Sequence, residues 1–176
     1  MAFSIYEPHL SGLMPITQTD GGVTFAGASS AAPSPPMRLG MIVRAYDPTF
    51  GEGEFILLAG VASTKVGSVV TYNTTSYTTA LAPVGNKLPQ PIAFAMSANI
   101  LATTWGWYQI SGMAVAAKTS ALALGSNAAV GVLTTGLIAA TATGKEVEGA
   151  LTAAKATTPT TVTLVINRPH MMGRIT

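Results

Sequence analysis

Trp105-Gly106-Trp107-Tyr108-Gln109-Ile110-Ser111-Gly112-Met113-Ala114-Val115 holds both tryptophans of a 176-residue chain. From Tyr108 onward, large or branched residues alternate with polar ones: Tyr108 and Ile110 against Gln109 and Ser111. A period of two puts Tyr108 and Ile110 on one side of an extended backbone. Aromatic and β-branched residues suit a pleated surface. Gly112 interrupts the run, and glycine inside a strand marks a bulge or a close backbone approach. The stretch therefore predicts a β-strand bent near Gly112. Its aromatics, Trp105, Trp107 and Tyr108, could stack on a ligand, pack a core or anchor an interface.

The flanking sequence repeats the same chemistry in short pieces. Strands are expected at 40–46, 54–62, 66–72, 91–96, 120–124, 130–134, 136–140, 145–150 and 160–167. Residues 73–81 read as polar loop or edge strand, 83–91 as a Pro/Gly/Asn-punctuated loop, and 97–101 as a turn. Turn signals recur roughly every 8–12 residues, the cadence of a sandwich or barrel. The expected fold is all-β, a compact β-barrel or sandwich of short strands. In the last strand, Thr161, Thr163 and Val165 share one face and Val162, Leu164 and Ile166 the other. Both sets tolerate burial, which predicts a central strand. Leu151–Ala156 predicts a short helical turn before Pro159.

Residues 1–37 differ from the remainder, 38–176, which we read as the core domain. Pro8, Pro15, Pro33, Pro35 and Pro36 break any long element, and 28–36 reads as an extended linker. Yet Phe3, Ile5, Tyr6, Leu10, Leu13, Met14 and Ile16, with Val23 and Phe25, are too apolar for a solvated tail. Such an extended N-terminal arm must bury them, either on a neighbouring subunit or on its own domain. With Trp105, Trp107 and Tyr108, the first seven are the candidate interface residues.

Charged residues make up 9% of the chain, against roughly 25% in an ordinary soluble domain. A surface so poor in charge points to cover by partners, or to a Thr-rich β-protein that dissolves through its hydroxyls. The nine basic residues are scattered, with no run able to neutralise adjacent phosphates, so nucleic-acid binding is not expected. Cysteine is absent, which removes disulfides, thiolate metal sites and cysteine nucleophiles. The first residues lack the basic and apolar regions of a signal peptide. No apolar run reaches the roughly 18 residues of a membrane span.

Catalytic patterns are not evident. His9 and His170 lack metal-ligand spacing, and His170 reads as a hydrogen-bonding structural residue. Glu52/Glu54 and Glu146/Glu148 could pair carboxylates on one strand face, but neither has a His or third acid nearby in sequence. They read as solvated edge or loop residues. Gly51-Glu52-Gly53-Glu54 lacks the Lys-Ser/Thr ending of a phosphate loop. We expect no enzyme activity, no cofactor and no metal.

Three stretches carry a family resemblance: Gly53 to Val70, Gly106-Trp107-Tyr108-Gln109-Ile110-Ser111-Gly112-Met113-Ala114-Val115, and Ile166-Asn167-Arg168-Pro169-His170. Their order and spacing, over roughly residues 40–172, resemble the capsid decoration (cement) proteins of tailed bacteriophages. The resemblance implies a small β-rich virion protein that binds the outside of the assembled head. It implies as partners the major capsid protein and copies of itself, with no direct nucleic-acid or membrane contact. Its place would be the capsid surface, after synthesis in the bacterial host cytoplasm. Other readings of the same residues are a tail, head-fibre or head–tail joining protein, and a carbohydrate-binding module using the Trp–Tyr cluster. A hydrolase has the weakest basis.

Overall fold

The computed structural model describes residues 2–6, 13–22, 33–84, 89–119, 124–155 and 160–172. All regular secondary structure among them is strand. In chain order the strands are β1 Ser4–Ile5, β2 Thr19–Asp20, β3 Ile42–Asp47, β4 Gly51–Ala59, β5 Val69–Tyr72 and β6 Thr79–Leu81. They continue with β7 Ile92–Ala95, β8 Trp105–Ala117, β9 Ala129–Thr134, β10 Leu137–Ala140, β11 Glu146–Thr152 and β12 Thr161–Met171.

The longest strand, β8, organises the sheet. On one side it pairs with β4, from Ala59↔Trp105 to Gly53↔Gly112. On the other it meets three strands in turn: β2 at Gly106, β7 at Tyr108 and Gln109, and β12 from Ser111 to Ala117. The main path runs β1-β3-β4-β8-β12-β11-β9-β10, with β5 and β6 joined through β7. A parallel bridge, Lys118↔Ile138, brings the end of β8 back to β10. The sheet folds over itself as a sandwich but is not closed into the barrel that the strand cadence also allowed.

Alternation explains how one strand serves several layers. In β4, Phe55 and Leu57 join Val43, Ala45, Trp105 and Trp107 in one apolar cluster. Ile56 and Leu58 face the other way, into Val70, Ala93, Tyr108 and Ile110. Both faces are buried, as the unbroken Phe-Ile-Leu-Leu-Ala run requires. Beyond Gly112, Ala114 and Ala116 enter a third cluster with Val130, Val132, Leu164 and Ile166.

Two sequence expectations are corrected and one open alternative is decided. Leu151 and Thr152 belong to β11, not a helical turn, because they pair with Val165 and Leu164. The Thr152 hydroxyl also accepts from the Ala128 N–H at 2.7 Å and donates to the Gly125 carbonyl at 2.7 Å, fixing the extended form. The strand β12 is central in pairing order, but only its Val162/Leu164/Ile166 face is buried; Val165 is exposed. Of the two alternatives for the N-terminal segment, its described parts follow the second and lie on their own chain: β1 extends the sheet beside β3, and β2 lies against β8. Of the expected strand at 120–124, only Leu124 is described, and it is buried in the third cluster.

The N-terminal segment is held by specific contacts. Phe3 meets Phe55 edge-on, with ring centroids 4.9 Å apart. The Trp107 indole N–H donates to the Met14 carbonyl at 2.8 Å. Buried Asp47 accepts from the Ala2 amide and from the N–H groups of Thr49 and Phe50. The Ala2 bond first, then those of Thr49 and Phe50, hold its carboxyl below the usual range against the opposing effect of burial.

Candidate functional site

The residues expected to form an interface are mostly interior. Phe3, Met14, Ile16, Trp105 and Trp107 share one core cluster, with Ile5 and Leu13 half-buried against it. Tyr108 is enclosed on the opposite face. Tyr6 is exposed, and Leu10, like His9, Val23 and Phe25, lies outside the described residues. The correction has a simple cause. The N-terminal segment covers the tryptophan face with its own apolar side chains, and β5 and β7 cover the tyrosine face. With Trp107 at 0% and Trp105 at 5% exposure, neither can stack on a sugar.

Tyr108 has its hydroxyl in a polar knot. With the Asn99 amide turned to satisfy its neighbours, its oxygen accepts from the Tyr108 hydroxyl and the Gly60 N–H, each at 3.1 Å, and from the Gly106 N–H at 3.2 Å. Burial pushes the Tyr108 phenol up to about 12. The knot ties β8 to the turn after β7 and serves the core.

The surface site arises where two bulges face each other. Across β4 and β8 the register passes from Glu54↔Ser111 to Phe55↔Gln109, leaving Ile110 as the extra residue. Two residues later Gly112 takes φ +95°, and a Cβ there would lie 2.3 Å from the Glu52 carbonyl oxygen. This is the bend that Gly112 announced in the sequence. Buried Gln109 stitches the bulge, donating from Nε2 to Ser111 O at 3.1 Å and Met113 O at 3.0 Å.

The second bulge lies between β11 and β12, where pairing jumps from Glu148↔His170 to Ala150↔Ile166. Asn167 and Arg168 are pushed outward while Pro169 turns back into the interior, with Arg168 at φ +44°. Gly149 makes room, since a Cβ at that position would come within 2.7 Å of Asn167 O.

Together the bulges bring Arg168 Nη2 to 2.9 Å from Glu54 Oε2, across 114 residues of sequence. From β3, Arg44 Nε approaches Glu54 Oε1 at 3.6 Å. Arg44, Glu52, Glu54, Ser111, Asn167 and Arg168 line an open pocket of about 390 Å³. Both guanidinium side chains are roughly 60% exposed, so most of their donors face solvent. Glu52 is exposed and has no ion pair among the described residues. The site presents fixed charges of both signs on one rigid patch, suited to recognising a polar partner surface.

Of the acidic residues singled out in sequence, Glu54 is thus anchored and Glu52 is open. Glu148 meets His170 Nε2 at 2.9 Å on the outer surface, which gives His170 its hydrogen-bonding role. Among the described residues no three His, Asp or Glu side chains gather in a way that could hold a metal ion. Sequence reading missed Arg44 and Arg168, having treated the basic residues as scattered. The available signal was Asn-Arg-Pro inside a β-branched strand, a turn-like insertion that pushes its middle residue outward.

Compared with known proteins, the chain matches no family model and no curated protein.

Proposed function

We propose that this chain is a capsid decoration protein, a structural virion protein that binds the outer surface of a tailed-phage head and stabilises its lattice. The supporting observation is a convergence. The three stretches that resemble decoration proteins are far apart in sequence, yet their strands β4, β8 and β12 are consecutive neighbours. They meet at Glu54↔Ser111 and Ser111↔Asn167. The likeness therefore falls on one slab of sheet.

A charge content of 9% leaves much of the outer surface to apolar and hydroxyl groups, which cost less to dehydrate against a protein shell than charged groups do. Leu151 and Val165 are paired across β11 and β12 and exposed, lining a groove of about 520 Å³. The partner is the major capsid protein, and the mechanism is mass action. A protein that binds only the assembled shell stabilises it by its binding free energy, summed over many symmetric copies.

The test uses heads that lack the protein. Adding the purified chain should fill regular lattice positions at fixed stoichiometry and raise the temperature at which the heads release DNA. Binding confined to the tail or portal vertex would assign it to another virion structure, and the absence of any head binding would overturn the proposal.

A further inference from the structure

The outer face of β12, β11 and β9 carries a row of apolar side chains across three strands. Leu151 pairs with Val165 on one side and with Ala129 on the other. All three are exposed, whereas the inward residues beside them, Leu164, Ala150 and Val130, are enclosed in the third cluster. The row forms one end of the groove of about 520 Å³. At the other end stand Glu146 and Glu148, two positions apart on β11 and so on one face of it.

The two acids differ in what they meet. Glu148 already holds His170 at 2.9 Å. Glu146 has no such neighbour. Opposite it on β9 is Gly131, which has no side chain. Toward β12 its main-chain carbonyl accepts from the Met172 N–H at 2.9 Å, and the thioether of that residue offers no donor. Oε2 of Glu146 is shut off from water and has no hydrogen-bond partner among the described residues. A buried acceptor without a donor is destabilising, and an ionised one more so. None of the described residues lining the groove is basic. The groove thus joins an apolar row to an acid whose counter-charge it does not itself contain.

The ladder gives the spacing between them. From Glu146 to Leu151, β11 takes five residues where β9 takes only two, from Gly131 to Ala129. The acid and the apolar row are therefore about two strand residues apart along the sheet, roughly 7 Å. An extended segment presents side chains at that interval on one side, since its period is two. A base followed two positions later by an apolar residue fits both ends at once.

We infer that the groove over β12, β11 and β9 takes an extended basic–apolar segment of a partner protein, its Lys or Arg on Glu146 and its apolar side chains on Leu151 and Val165. The inference deepens the head-binding reading, on which it rests for the source of the segment alone: there the segment belongs to the capsid shell. Glu146 is half-exposed, so its carboxylate reaches an arriving base by turning about its own side-chain torsions. The contact pairs the acid and takes Leu151 and Val165 out of water.

The experiment uses the full chain, isotope-labelled for NMR, and two capped peptides, Thr-Lys-Thr-Leu-Thr-Val-Thr and Thr-Glu-Thr-Leu-Thr-Val-Thr. At roughly millimolar concentration the basic peptide should shift the amide resonances of Glu146, Leu151 and Val165. The acidic peptide should bind on the order of 10-fold more weakly, and added salt should narrow the difference. Glu146→Gln should remove most of the basic peptide's advantage with strand circular dichroism unchanged. If that variant fails to fold, the two peptides on the wild-type chain decide the matter. Equal binding of both peptides, or shifts around Arg168 in place of Leu151 and Val165, would overturn the inference. So would Leu151 shifts that follow chain concentration without peptide, because a second copy would then be the occupant. A chain that decorates heads yet ignores both peptides would overturn the inference and leave head binding intact. Heads that take up no chain, while the basic peptide fills the groove, would support the inference and count against the head-binding reading alone.

Discussion

The two ends of the β4–β8 pair share strands and ladder but differ in character. At one end Leu57 opposes Trp107 and Ala59 opposes Trp105, and the side chains are enclosed on both faces. At the other end Glu54 opposes Ser111 and Gly53 opposes Gly112, and an open charged pocket begins. The bulge at Ile110 separates them. Aromatic residues concentrate at the end that makes the core, and the open charged side chains sit at the end that looked plain in sequence. Aromatic clusters carry a large apolar area, which favours enclosure whenever another part of the chain can supply a cover. Here the cover is the N-terminal segment.

The largest expected effects fall at the enclosed end. Deleting residues 1–36 removes Phe3, Met14 and Ile16 and uncovers Trp105 and Trp107. Each buried side chain of this kind contributes roughly 1.5–3 kcal/mol, so the truncation approaches the total stability of a domain. The truncated chain should unfold or aggregate, as read by loss of a cooperative urea transition. Trp107→Ala should cost about 3–5 kcal/mol in the same measurement, since it leaves a cavity and strands the Met14 carbonyl. A truncated chain with wild-type stability would show that the segment is a detachable arm after all.

The boundary between the two ends should give an intermediate effect. Gly112→Val places a branched side chain at φ +95° against the Glu52 carbonyl. Strain and overpacking together predict a loss of about 2–4 kcal/mol in chemical denaturation. Because Glu52 and Ser111 flank the bulge, the variant should also weaken attachment to heads. A variant that loses stability but keeps full attachment to heads would show that the bulge shapes the core without shaping the pocket.

The strands were legible because their signal is local. The alternation in Thr161–Ile166 and the apolar run in Phe55–Ala59 each fix a strand within a few residues, and Gly112 declared its own bend. What lay out of reach was long-range. Nothing near Phe3 or Met14 in sequence says that Trp107 is their partner, so an arm on a neighbour and a strand on its own domain read alike. Leu151 and Thr152 were misread because they adjoin the helix-favouring Ala153-Ala154-Lys155, a local signal, while their pairing with β12 is tertiary. The pocket was hidden for the same reason. Arg44, Glu54 and Arg168 come from three strands, and Glu54 and Arg168 are 114 residues apart. The β3–β4 ladder sets Arg44 opposite Glu54, and the two bulges bring Arg168 to them.

The smallest expected change in stability gives the most selective test of the open end. Arg168→Gly removes the guanidinium but suits φ +44°, which glycine adopts without strain. The lost surface ion pair costs at most about 1 kcal/mol, and the relieved strain offsets it, so stability should stay within roughly 1 kcal/mol of wild type. Attachment to heads should nevertheless fall on the order of 10-fold, because one guanidinium of the charged patch is gone. At the enclosed end no truncation separates fold from function in this way, since a buried side chain cannot leave without opening the core. If Arg168→Gly instead destabilised the chain by several kcal/mol, the left-handed arginine would be part of the scaffold and the energetic case for recognition at this end would fail.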